Sequence, residues 1–135
     1  MSLYRLLADL IVVIHAGYVG FVVLGVPAIL FGAWRGYGWA RNFWFRGVHL
    51  LMIGVVALES IFGILCPLTE WEDQLRASAG QDVEEGSFIG RWTHELIFVD
   101  LSPGVLTACY CLFAAVVIGL LFLIPPRRPA FLKRR

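Results

Sequence analysis

Glu59 poses the sharpest chemical question in this chain, because it lies inside an apolar stretch, FWFRGVHLLMIGVVALESIFGILC, that also carries His49 and Cys66. An ionisable group facing lipid costs roughly 3 kcal/mol by insertion scales, so such groups turn toward protein or a wet cavity and find a partner there. On a helix advancing about 100° per residue, Met52, Glu59 and Cys66 recur at sevens on one stripe, with His49, Val56 and Gly63 beside it. That stripe is expected to face protein. Asp9 and His15 interrupt a second apolar stretch, and His94 follows an acidic loop. With Cys66 they form a candidate polar cluster of Asp9, His15, Glu59, Cys66 and His94, whose carboxylates and imidazoles could relay a proton or, through Asp9, Glu59 and His94, ligate a hard or borderline metal. A structural reading stands beside it. There Arg5 pairs with Asp9 one turn on, while Glu59 takes a hydroxyl, a backbone group or an Arg of the polar segment, or stays protonated. HExxH, CxxC and GxGxxG are absent in any proper context, so no motif names a reaction.

His15 and His49 stand on different apolar stretches, as bis-histidine haem ligation requires. Their depths argue against it, since the two are offset by about 10 Å along the membrane normal at 1.5 Å per residue. Packed, hydrogen-bonded histidines are the commoner arrangement. Cys109 and Cys111 point about 160° apart on a helix and cannot share a metal. Cys66 and Cys109 could meet as a disulfide at the outer side, or remain buried thiols. With no Cys/His pair or serine triad, hydrolytic chemistry is not expected.

The elements that must position these groups follow from composition. Of 135 residues 59% are hydrophobic and 16% charged, and the mean hydropathy is +0.78, outside the range of a soluble domain. The expectation is an all-α membrane protein, one domain over residues 1–135, with three transmembrane helices and two short outer-surface helices in one bundle. The net charge of +1, without a basic patch, points to the lipid bilayer rather than nucleic acid as partner. The first span is expected over residues 6–34, too long for a signal peptide, with Asp9, Ala16, Gly20 and Val23 on its packing face and Ala16 and Gly20 as a small-xxx-small pair. A tight connector with Trp34, Trp39 and Trp44 at interfacial positions leads to a second span over 43–65, ended by Pro67.

In the outer connector, residues 67–102, Thr69 and Glu72 read as a T-x-x-E capping box, with Glu72 and Arg76 as an i,i+4 pair. The first short helix should present Trp71, Leu75 and Ala79. The second, over 88–99, should carry an Arg91/Glu95 pair. Ser102 and Pro103 open the last span, 103–124. Arg35, Arg41 and Arg46 at the first connector and Arg127, Arg128, Lys133, Arg134 and Arg135 in the tail flank an acidic outer segment. By the positive-inside rule this places the chain in a bacterial cytoplasmic (inner) membrane with its N-terminus outside and its C-terminus cytoplasmic.

The opening LYRLLADLIVVIHAGYVGFVVLG, Glu59 and the block CPLTEWEDQLRASAG resemble the small bacterial inner-membrane proteins grouped as domain of unknown function 2784. The resemblance carries Asp9, His15, Glu59, Cys66, Pro67, Leu68, Thr69, Glu72, Leu75 and Arg76, with Phe88, Ile89 and His94 downstream, while RWTHELIFVD departs from the family pattern. It implies the architecture and no activity. Two functional expectations remain: a non-enzymatic accessory or interaction protein that docks a membrane-protein partner or a second copy, or a binding protein for a metal, haem or quinone using the outer polar cluster.

Overall fold

Most helices here begin where a side chain can accept from backbone N–H groups that no earlier turn satisfies. Ser2 Oγ accepts from Arg5 N at the start of α1 (Leu3–Trp34), and Asn42 Oδ1 accepts from Trp44 N and Phe45 N at the start of α2 (Phe43–Ile61). α3 (Pro67–Ser78) starts differently. Its N-cap, Cys66, gives no side-chain bond, and Pro67 at the first helical position needs none. Ser87 caps α4 (Phe88–Ile97) and Ser102 caps α5 (Pro103–Leu123). The structure is a computed structural model that describes residues 2–83 and 86–129. Lys133, Arg134 and Arg135 of the basic tail and Glu84 and Glu85 of the acidic loop lie outside the described residues.

All regular structure among the described residues is helical, and α1, α2 and α5 are long and apolar enough to cross a membrane. Their outward faces carry exposed leucines and aromatics such as Leu24, Leu51, Leu112 and Phe122, a surface suited to lipid. α1 packs most extensively against α3, and α2 against α5. Val22, Ile53 and Val117 meet at the centre, with Tyr18, Leu50, Met52 and Phe113 around them.

The packing face of α1 differs from the expected one. Ala8, His15, Val22 and Ile29 recur at sevens on the buried side, joined by Gly25 and Gly32. Asp9, Ala16 and Val23 are exposed, and the space around Gly20 is open. Two close approaches set this rotation. His49, fully buried, lies against Gly25 and donates from Nε2 to the Val22 carbonyl at 2.8 Å, and Gly32 admits Ala40 and Trp39. A carbonyl only accepts, so this bond fixes the imidazole proton on Nε2. Tyr18 OH donates to the Met52 carbonyl at 2.6 Å, a second polar clasp between α1 and α2.

At the hairpin end, Gly36 takes φ +74° and a 3₁₀ turn over Gly38–Arg41 leads into α2. Arg46 is not a loop charge here. It is 2% exposed and donates through Nη1 to the carbonyls of Ala40 (3.3 Å) and Ile124 (2.9 Å), tying the turn to the end of α5. Arg127 N donates to the Arg41 carbonyl at 2.8 Å, so the chain beyond α5 returns to the first connector. Arg127 therefore shares one end of the bundle with Arg41 and Arg46.

α2 stops earlier than Pro67 would require. Gly63, at φ +68°, closes it: Ile64 N donates to the Glu59 carbonyl and Gly63 N to the Ser60 carbonyl, the paired bonds of a Schellman ending. Glu59 thus belongs to the last turn of α2, and Cys66 to the next helix. Pro27 lies inside α1, which runs through it to Trp34 as the expected span did.

Candidate functional site

The ends of α2 and α3 meet α1, α4 and α5 around a cavity of about 810 Å³ at the end opposite the hairpin. That volume falls within the roughly 300–1,000 Å³ typical of small-molecule sites. His15, Glu59, Cys66 and His94 all line it, although they come from four separate segments. Asp9 does not. It is exposed on α1, where its carboxylate meets Arg76 Nη2 at 3.4 Å rather than Arg5. The packing of α3 along α1 places Arg76 there, and the sequence offered no sign of it.

The capping box is a correction as well. α3 begins at Pro67, whose fixed φ suits the first helical position, so Thr69 lies within the first turn and not before it. Its hydroxyl, on a residue 1% exposed, has no hydrogen-bond partner among the described residues, and Thr69 is among the residues that line the cavity. Glu72, 4% exposed, turns instead to two arginines: Arg76 Nε donates to Oε1 at 2.8 Å, and Arg91 Nη2 approaches Oε2 at 3.5 Å. Arg91 Nη1 reaches Asp73 at 3.3 Å, so Arg91 joins α4 to α3 in place of the expected pair with Glu95. The bond to Glu72 raises the Arg76 pKa further above its ordinary value, while burial pushes the Asp73 carboxyl up against the pull of Arg91.

His15 is 5% exposed and stacks on Phe88 of α4, with ring centroids 4.1 Å apart and planes 23° from parallel. Its Nδ1 is buried without a partner. His94 is exposed and its Nδ1 lies 2.7 Å from Asp100, which also lines the cavity. Ser60 and Thr107 satisfy one another across α2 and α5 at 2.6 Å. Tyr18 and Tyr110 complete the aromatic lining. Sequence spacing missed Tyr18, Ser60, Thr107 and Tyr110 and gave Arg91 a partner on its own helix, because nothing local marks a residue whose partner is supplied by another helix. Only Tyr18, one turn after His15, carried a signal.

This geometry narrows the chemistry. No group of three His, Cys, Asp or Glu side chains among the described residues is disposed to hold a metal ion, since Asp9 stands apart from Glu59 and His94. His49 packs beside Gly25, ten residues along α1 from His15, about 15 Å at the helical rise. The two cannot flank one haem, and His49 already spends Nε2 on Val22. Cys66, Cys109 and Cys111 are free thiols. Burial pushes the Cys66 thiol up from its ordinary value, with the charge of Glu59 adding to it. The lining sets apolar side chains beside a few hydrogen-bonding groups. No curated protein and no solved structure matches the chain. Residues 5–126 of the 135 match the family model described as Protein of Unknown function (DUF2784), and the chain belongs to that family.

Proposed function

We propose that the chain is a non-enzymatic accessory protein of the bacterial inner membrane that binds a small amphipathic molecule in the cavity bordered by His15, Glu59 and Thr69. The observation that carries this reading is the pair of unpartnered buried atoms, His15 Nδ1 and Thr69 Oγ1, on residues lining one space of ligand size. Leaving such atoms unmatched costs about 1–3 kcal/mol each, a cost that a bound polar head group removes. Metal and haem lose support from the ligand geometry. A neutral ring with oxygens, of quinone type, stays compatible with it.

The test separates a binding role from a packing role by sign. Thr69→Val removes an unsatisfied hydroxyl at similar volume, so the empty protein should unfold at equal or higher denaturant, with a gain of about 1 kcal/mol. The same variant should label less with a photoreactive ten-carbon alcohol in lipid nanodiscs. Val56→Trp, which projects a large ring into the cavity, should reduce labelling of α4 and α5 peptides. Loss of stability in Thr69→Val, or labelling that ignores Val56→Trp, would overturn the reading.

The shared end of the basic segments supports a C-terminus in the cytoplasm and an N-terminus and cavity outside. A thiol placed by Gln81→Cys in a background without the native cysteines should react with a membrane-impermeant maleimide in intact spheroplasts, while a C-terminal reporter stays active only in the cytoplasm. Labelling of that thiol only after lysis sinks the orientation.

A further inference from the structure

We infer that the head group is a protonated amine on an apolar body, with Glu59 as its counter-ion; this rests on the cavity reading above. The charged side chains that line the cavity have side-chain partners except at one place. Arg91 is committed to Glu72 and Asp73, and Asp100 to His94. Among the described residues Glu59 makes no ion pair and no side-chain hydrogen bond, yet it is half-buried and lines the cavity. Its position on the helix sharpens the demand. The last turn of α2 is the negative end of the helix dipole, where a second negative charge is unfavourable and a cation is welcome.

The remaining groups fit the same ligand. A primary ammonium offers three N–H donors and no acceptor. Three acceptor sites on residues that line the cavity are unused: the Glu59 carboxylate and the shielded Thr69 Oγ1 and, with its proton on Nε2, His15 Nδ1. The rings of Tyr18, Phe88 and Tyr110 border the same space, and aromatic faces attract a cation. A carboxylate or phosphate head group would face Glu59 with no uncommitted arginine to answer it. A neutral head group would leave Glu59 as it stands. Val19, Val56 and Leu106 receive the apolar body.

Decylamine, decanol and decanoate share one tail and differ in head group, so they isolate the charge. With the full chain in nanodiscs of zwitterionic lipid, and empty nanodiscs as the partition control, displacement of the photoreactive alcohol should be at least about tenfold stronger with decylamine than with decanol, and weakest with decanoate. Glu59→Gln, checked for helicity and monodispersity, should bring decylamine to the level of decanol without changing decanol itself. Glu59→Asp should keep part of the preference, and Glu70→Gln, on the exposed side of α3, all of it. Equal displacement by amine and alcohol in the unaltered protein, or an amine preference that survives Glu59→Gln, overturns the inference while the cavity stands. Failure of all three compounds to displace the probe removes the cavity reading with it.

Discussion

Gly25→Ala should destabilise the bundle by about 3 kcal/mol, the largest effect expected of any single added methyl group. A Cβ at Gly25 would lie 2.4 Å from His49 Nε2 and 2.5 Å from its Cδ2, on a rigid ring with no free space to retreat into. The ring must move, and its bond to the Val22 carbonyl breaks. A fully buried imidazole then loses its one hydrogen bond while its Nδ1 is already without a partner. Overpacking of this kind costs about 1–3 kcal/mol and the stranded donor a similar amount, against about 1 kcal/mol regained from the better helix propensity of alanine. Gly20→Ala is the internal control, because nothing lies within 4 Å of its added carbon. It should be neutral or slightly stabilising. Denaturation of both variants in detergent, followed by helical circular dichroism, decides the matter. Equal midpoints for the two would show that α1 does not meet α2 at Gly25.

Glu72→Gln should cost about 2–3 kcal/mol, well above an ordinary surface charge. Glu72 is almost completely buried between Arg76 and Arg91, and an amide in its place leaves two guanidinium groups facing each other across a lost counter-charge. Asp73 and Asp9 retain part of the balance, which holds the figure below the usual 3–5 kcal/mol for breaking a buried pair. Asp9→Asn removes the exposed end of the same network and should cost less than about 0.5 kcal/mol. Hydrogen exchange should rise across α3 and α4 together in the Glu72 variant, since Arg91 joins them. Exchange confined to α3, or a stability loss no larger than that of Asp9→Asn, would contradict the network.

The spans were legible because they depend on local properties: hydropathy over twenty residues, Ser102-Pro103 at a helix start, basic residues at two flanks. Rotation about a helix axis was not. Asp9 and Ala8 differ by one position and about 100°, and in a uniformly apolar helix no polarity gradient tells the two faces apart. The face is chosen by His49 seeking the Val22 carbonyl over Gly25, a contact between residues far apart in sequence. The same limit applied to the site. His15, Glu59, Cys66 and His94 could be marked as polar groups in apolar surroundings, and they do converge on one cavity. Thr69 was assigned a cap because T-x-x-E is a local pattern, while the competing start at Pro67 left its hydroxyl in the interior.

The Schellman ending at Gly63 also sets a length. It limits α2 to 19 residues, about 28 Å, close to the roughly 30 Å hydrocarbon thickness of a bilayer, whereas the 32 residues of α1 reach about 48 Å. α2 is therefore the gauge of the molecule. α1 fits only by tilting or by carrying its first turns past the level where α2 ends, which is where α3 packs along it. In a bilayer matched to α2, the cavity, lined by residues at the end of α2, would come at the level where hydrocarbon gives way to head groups. Thicker lipid would draw Ile61, Phe62 and Ile64 below the surface and lower the mouth of the cavity into hydrocarbon, so under the proposed binding role acyl-chain length would control which molecules reach it.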